Sequence, residues 1–309
     1  DLLDSERWWS RWFAQLAQDG YQLRERYDPN WVPKFWPVPD WLPTRVGYSP
    51  LRGDWTNGVY TKFVGIMDAV RTVDGLRVVI KRVPIRDGKC HEAEIMNIIH
   101  ERDVDKDARN HCVPLLDRRD YTGSTYSLLV MPHLLPLDVI PFETVGEITD
   151  FVRQVLEGVS FLHSLNVAHR DIGSNNVMMF SPDLFPSGTC HLYPGDVLGR
   201  LPLPAKHLSR RQVYVRYFLI DFGLSWAFSS YEARRPMRTG RGQYKDAPEF
   251  SGSRPYDSFA LDVWCIGKLF KEEILDKYRT PIFLSEFIAT LMQPDPLDRP
   301  TAANALATF

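Results

Sequence analysis

The chain predicts an α+β fold: a small antiparallel-sheet section followed by a larger, mainly helical one. Two observations carry this. Between about residues 56 and 132, short apolar runs are separated by turn signals. From residue 144 onward, apolar residues recur at helical spacing. Strands and helices segregated in this way build an α+β domain rather than an alternating parallel one. A third feature sets the N-terminus apart, because residues 1–55 hold seven of the nine tryptophans.

The extension comes first. Asp4 or Ser5 is placed to cap a helix in which Trp8, Trp9, Trp12, Phe13 and Leu16 form an apolar stripe, with Gly20 just past its end. Six prolines between Pro29 and Pro50 predict an extended, irregular stretch. Aromatics are usually spent on burial, so the extension is expected to pack on the sheet section, with an exposed aromatic docking surface as the other reading. Thr72-Val73-Asp74-Gly75 reads as a turn leading into a strand, Arg77-Val78-Val79-Ile80-Lys81. Residues 88–101 read as a helix, and Ser127-Leu128-Leu129-Val130-Met131 as a buried strand broken by Pro132-His133. Three further helices are expected, over 144–164, from about Ser258 to Phe270, and from about Ile282 to Met292 before Pro294.

Composition excludes several classes. A chain of 309 residues with 44% hydrophobic and 25% charged residues suits a globular protein with a substantial core. A net charge of −2 gives no basis for bulk attraction to nucleic acid or an acidic membrane. The four cysteines (Cys90, Cys112, Cys190, Cys265) are scattered without a Cys-x-x-Cys, which argues against a disulfide framework or zinc site and for a reducing setting. No apolar run approaches a membrane span, and Asp1-Leu2-Leu3-Asp4-Ser5-Glu6-Arg7 does not read as a secretory signal. The expected location is intracellular, cytoplasmic or nuclear.

Five motifs then fall in one fixed order: Val79-Ile80-Lys81; His169-Arg170-Asp171 with Asn176 five residues past the aspartate; Asp221-Phe222-Gly223; Ala247-Pro248-Glu249; and Arg299-Pro300. Each alone is weak. Together, over roughly residues 58–309, they resemble the signature set of the eukaryotic protein kinases. The resemblance implies a bilobal kinase fold, with 1–55 as an extension, 56–132 as the small lobe and 133–309 as the large lobe carrying an insertion at about 181–213. It also implies ATP and Mg²⁺ as cofactors and a protein hydroxyl as acceptor, serine or threonine ahead of tyrosine. Lys81 would hold the α- and β-phosphates, steadied by Glu94, which begins the apolar Ile95-Met96 run. Met131 would be the gatekeeper, with Pro132 and His133 facing the adenine. Asp171 would accept the proton of the attacking hydroxyl, and Asn176 and Asp221 would hold the metal. Glu249 and Arg299 would form a buried pair, and Asp262 would cap the catalytic loop, both as scaffold.

The chain departs from this pattern in several places. Residues 58–66 hold glycines, but not in the Gly-x-Gly-x-x-Gly spacing that lets bare backbone approach phosphates. Gly173 and Asn175 stand where a cation steadying the transferred group is usual, which should slow transfer. Asp171 and Asp221 lie fifty residues apart. The surplus at 181–213 ends in Lys206, His207, Arg210 and Arg211, so it reads either as an elaborated loop or as a supplier of the missing charge. Arg241-Gly242-Gln243-Tyr244 replaces the usual Gly-Thr before Ala247, and the span from Asp262 to Arg299 is short enough that a small docking helix is expected to be missing. Hydroxyls at Ser229, Ser230, Tyr231, Thr239 and Tyr244 could order the segment on phosphorylation by pairing with Arg170. The insertion, the aromatic extension and Met67-Asp68-Ala69-Val70-Arg71 resemble the expanded kinase-like families of mushroom-forming fungi. Two alternatives stay open: a pseudokinase binding module and a small-molecule kinase.

Overall fold

The computed structural model describes residues 2–32, 65–101, 107–186, 206–238, 242–251, 255–279 and 281–309. Most of the atypical glycine loop (58–64), most of the proline-rich stretch, most of the 181–213 insertion, and Thr239 lie outside the described residues. The chain divides into two compact units. One comprises Asp1–Pro84, Leu115–His133 and Pro182–Leu208; the other comprises Ile85–Pro114, Leu134–Ser181 and Ser209–Phe309. The stretch 85–114, expected with the small lobe, groups with the second unit because its helix is hydrogen-bonded there, as described below.

The first unit is a five-stranded antiparallel sheet in the order β1-β2-β3-β5-β4. Its strands are β1 (Tyr21–Gln22), β2 (Ile66–Arg71), β3 (Arg77–Pro84), β4 (Asp117–Asp120) and β5 (Tyr126–Pro132). The turn before β3 has Gly75 at φ +71°, with the Leu76 N–H donated to Asp74 Oδ1. Alternation along the strands sends Met67, Ala69, Val78, Ile80, Leu128 and Val130 to one face. That face is covered by the extension. Trp9 and Leu16 of helix α1 (Asp4–Gln18), then Tyr21, Leu23 and Tyr27, complete a single buried cluster with it. The aromatic stripe is thus spent on burial.

α1 starts differently from expectation. Neither Asp4 nor Ser5 is the cap residue; Leu3 precedes the helix, and its N–H is donated to the Glu6 carboxylate at 2.9 Å. The same carboxylate is fully buried, accepting from Arg26 and the Tyr27 hydroxyl, each at 3.0 Å. The helix stops at Gly20, whose φ of +89° few other residues tolerate. Trp12 stacks on Tyr121 at 4.5 Å, and the Arg82 guanidinium lies 4.8 Å from the Trp8 ring and 4.6 Å from that of Tyr126. Nothing in this arrangement resembles a loosely attached tail. Trp9 is completely buried, and its indole N–H has no hydrogen-bond partner among the described residues. Trp9→Ala should therefore cost about 3–5 kcal/mol of stability. Trp9→Phe, which keeps most of the apolar volume and deletes the orphan donor, should cost clearly less. Urea titration of both variants checks the ranking.

In the second unit, helix α2 (His91–His100) is followed by β6 (Leu135–Pro136) and the long α3 (Val145–Ser164). α3 begins at Val145, one residue past the expected start, behind a Thr144–Glu147 capping box. Thr144 Oγ1 accepts the Glu147 N–H, and Glu147 returns a carboxylate oxygen to the Thr144 N–H, both at 3.2 Å. Two short sheets follow: β7 (Val167–Ala168) with β10 (Trp226–Ala227), and β6-β8-β9, with β8 at Val177–Phe180 and β9 at Arg216–Leu219. Helix α4 (Ser258–Phe270) is buried along almost its whole length, and α5 (Ser285–Leu291) and α6 (Ala302–Thr308) close the unit. α4 continues directly into a five-residue π-helical segment, Lys271–Leu275, and a 3-10 turn at Ile282–Leu284 leads into α5.

Candidate active site

On the first unit, antiparallel register decides which side chains share a face. Lys81 stands opposite Ile66 and Leu129, and Val79 opposite Asp68 and Met131. These residues therefore line the face opposite the one covered by α1. Pro132 sits opposite Val78 without an N–H to give, and the next N–H, of His133, is donated to the Arg77 carbonyl at 3.0 Å. β3 thus fixes both the lysine and the chain leaving β5.

On the second unit, α2 is tied at its start to the Asp221-Phe222-Gly223 turn. The His91 ring bonds the Ser225 carbonyl at 2.8 Å. Here one expectation needs correcting: Glu94 is exposed, whereas Glu92 is 3% exposed. A Cβ built on Gly223 would lie 3.7 Å from Glu92 Oε2, so the buried carboxylate stands beside the turn that carries Asp221. Helical spacing explains why. Ile95, Met96 and Ile99 follow Glu92 by three, four and seven residues, so they share its face; Glu94 points off it. Spacing rather than sequence adjacency was the signal.

Within the second unit, the His169-Arg170-Asp171 segment and Asn176 come together. α3 and β7 lead into His169, and β8 leads away from Asn176. Asp262 of α4 is fully buried, and its two carboxylate oxygens accept the His169 and Arg170 N–H groups, each at 2.7 Å. The buried His169 ring accepts the Asp171 N–H at Nδ1 and faces the Ile220 carbonyl with Nε2 at 3.1 Å, so the proton sits on Nε2. Burial lowers this histidine's pKa and keeps it neutral. Among the motif residues, Arg170 at φ +69° and Asp221 at φ +64° hold left-handed backbone. Such strain in non-glycine residues is maintained only where surrounding structure dictates it.

Asp171 receives hydrogen bonds on both oxygens. Asn176 donates its side-chain nitrogen to Oδ2 at 3.0 Å and to the Asp171 carbonyl at 2.9 Å; the Gln243 N–H donates to Oδ1 at 2.6 Å. Burial raises the Asp171 pKa above the usual carboxylate range, opposed by the Gln243 bond, while the Asp221 charge pushes it further up. Asp171, Asn176 and Asp221 therefore form one electrostatic cluster. Its donor set suits a divalent cation: Asp221 offers a carboxylate, and Asn176, with its nitrogen committed to Asp171, has its amide oxygen as the atom able to take a metal.

Two arginines singled out in the sequence, Arg210 of the insertion and Arg170, make structural hydrogen bonds. Arg210 of the insertion is buried, donating to Tyr217 Oη at 2.7 Å and to the Leu137 and Ile140 carbonyls at 2.6 Å. It is scaffold. Arg170 donates to the Leu224 carbonyl at 3.0 Å and the Tyr256 hydroxyl at 2.9 Å. Tyr256 in turn exchanges two backbone hydrogen bonds with Met237, so Tyr256 ties this segment to Arg170 of the loop. Gln243, Gly242 and Tyr256 are contacts that no local motif announced.

Comparison with known proteins agrees with this geometry. The protein kinase domain family matches residues 62–282. The serine/threonine-protein kinase NLK2 of Xenopus laevis is 29% identical over 152 residues, which cover 48% of this chain and 27% of that protein. The serine/threonine-protein kinase ppk8 of Schizosaccharomyces pombe is 27% identical over 153 residues, covering 47% and 24%. A probable casein kinase II subunit alpha homolog of Encephalitozoon cuniculi is 24% identical over 218 residues, covering 69% and 55%. The matches span about a quarter of the first two relatives' length. With its motifs assembled on an α+β frame and most of its length matched, the chain belongs to the protein kinase domain family.

Proposed function

We propose that the chain transfers the γ-phosphoryl group of ATP to a protein hydroxyl, serine or threonine in preference to tyrosine. One observation carries the reading furthest: the Asp171 carboxylate is oriented on both oxygens and sits within the electrostatic reach of Asp221. Held in this way, Asp171 would accept the proton as the acceptor oxygen attacks. Asn176 and Asp221 would hold Mg²⁺, which supplies charge neutralisation at the phosphates. Lys81 would bind the α- and β-phosphates, and Met131, Pro132 and His133 would border the adenine. The serine/threonine preference rests on what the relatives are named, since Gly173 and Asn175 declare neither type.

The same reading assigns 56–132 to the nucleotide-side lobe, 133–309 to the acceptor-side lobe with an insertion at about 181–213, and 1–55 to an extension of the former. It takes in the narrower likeness to the expanded kinase families of mushroom-forming fungi. It also sets the protein in an ATP-containing, reducing compartment, in keeping with Cys90, Cys112 and Cys265 being unpaired and buried.

The buried Glu92, beside the turn that carries Asp221, is expected to matter more to the site than the exposed Glu94. Glu92→Gln should lower kcat/KM for ATP by roughly 10- to 100-fold, the cost of disturbing the geometry around Asp221. Glu94→Gln should leave it within about twofold. Transfer of labelled γ-phosphate from Mg-ATP to a generic protein substrate, followed by phosphoamino-acid analysis, tests the whole reading. Label on serine or threonine supports it. ATP binding without any transfer would favour a binding module, and label passing only to small hydroxyl compounds a small-molecule kinase.

A further inference from the structure

We propose that Gln243 is the positioning residue of this catalytic loop, and that Gly173 and Gly242 are small in order to receive it. The inference rests on the kinase reading above. Gln243 meets the loop at three points. Its N–H donates to Asp171 Oδ1 at 2.6 Å, its side-chain nitrogen donates to the Asp171 carbonyl at 3.2 Å, and its side-chain oxygen accepts the Asn175 N–H at 3.3 Å. The amide thus bridges both ends of the stretch in which a cation is usual.

The fit is steric as well as polar. A Cβ on Gly173 would lie 2.7 Å from Gln243 Oε1, 2.8 Å from Cδ and 2.9 Å from Nε2. All three are closer than carbon normally approaches, so the glutamine amide already occupies the volume that any side chain at 173 would enter. Gly242 is constrained separately. A Cβ there would sit 2.6 Å from Asp171 Oδ1 and 2.7 Å from the Arg170 carbonyl, so only bare backbone lets the next N–H reach the carboxylate. Gly173, Gly242 and Gln243 therefore form one unit. The loss of a side chain two residues past Asp171 is matched by a glutamine arriving from the segment before Ala247-Pro248-Glu249. Gln243 is neutral and supplies no charge; it fixes the orientation of the proton acceptor.

This yields a pattern that independent sites would not show. Gln243→Ala should lower kcat by roughly 10- to 100-fold with little change in KM for ATP, the cost of a misoriented reacting group. Gln243→Met keeps the length, the volume and the backbone N–H bond to Asp171 but loses both side-chain hydrogen bonds, and should fall in the same range. Gly173→Ala alone should also lower kcat, by displacing the amide. Gly173→Ala combined with Gln243→Ala should be no worse than Gln243→Ala, because the obstacle is then gone. Steady-state kinetics on the four-member cycle, with thermal unfolding to confirm folding, decides. Wild-type kcat in both Gln243 variants, or strictly additive losses in the cycle, would overturn the proposal while leaving the kinase reading intact. Absence in the wild type of any turnover sensitive to Asp171→Asn would overturn the kinase reading, and this proposal with it.

Discussion

Asp171→Asn should reduce kcat by about 10²- to 10⁴-fold, the usual worth of a positioned general base, while nucleotide binding survives. The substitution keeps the shape and most of the hydrogen bonds. An asparagine oxygen can still accept the Gln243 N–H, and the Asn176 side chain keeps its bond to the carbonyl of residue 171. Only the second contact, at Oδ2, is lost, because two amide nitrogens would face each other there. A folded protein that binds ATP normally and transfers almost nothing is the expected result, read by ADP release alongside a binding titration. Asp221→Asn should fail differently, weakening the metal-dependent part of nucleotide affinity. Wild-type turnover in Asp171→Asn would remove the proton-acceptor assignment altogether. The pH profile offers a companion measurement. Burial raises the Asp171 pKa, so activity, which needs the carboxylate ionised, should fall on acidification at a higher pH than an exposed aspartate would give.

The largest stability effect is expected at Arg299. Its guanidinium is fully buried against Glu249, whose side chain is 2% exposed, and it also donates to the carbonyls of Gln293 at 2.7 Å, Ala260 at 2.9 Å and Pro294 at 3.3 Å. Removing one member of a buried pair costs about 3–5 kcal/mol, because the other charge is left in low dielectric without compensation. Glu249→Ala should fall in that range. Arg299→Ala should reach its upper end, since it strands a carboxylate and three carbonyls together. For the same reason, replacing both residues by methionine should recover only part of the loss: the pair's charges disappear, but the carbonyls still lack a donor. Equilibrium urea unfolding of the three variants gives the order. A fully restored double variant would mean that the carbonyl contacts contribute nothing.

How much of this was legible beforehand follows the reach of the interactions. Asp171 and Asn176, named together by the motif resemblance, bond each other directly across five residues. The helix over 144–164 was readable from its apolar spacing, and Thr144 and Glu147 fix its start within one turn. The burial of Glu92 rather than Glu94 was readable: its helical phase with Ile95, Met96 and Ile99 was present in the sequence, and the structure buries it beside Gly223. Arg210 could not have been foreseen as scaffold, since the carbonyls it satisfies lie about seventy residues earlier.

The sequence by itself determined the α+β class, the order of the motifs and the residues proposed to carry phosphoryl transfer. Each of these is fixed by residue type and by spacing within a turn or a strand. Only the tertiary structure decided that a two-residue strand of the extension, Tyr21–Gln22, joins the sheet edge, and that α1 covers one face of the sheet. It also decided that Tyr256 and Gln243 bind the catalytic loop from 86 and 72 residues away. Contacts at such separations leave no periodicity to read; they form because burial brings together polar groups that would otherwise lack partners, and chain proximity has no part in choosing them.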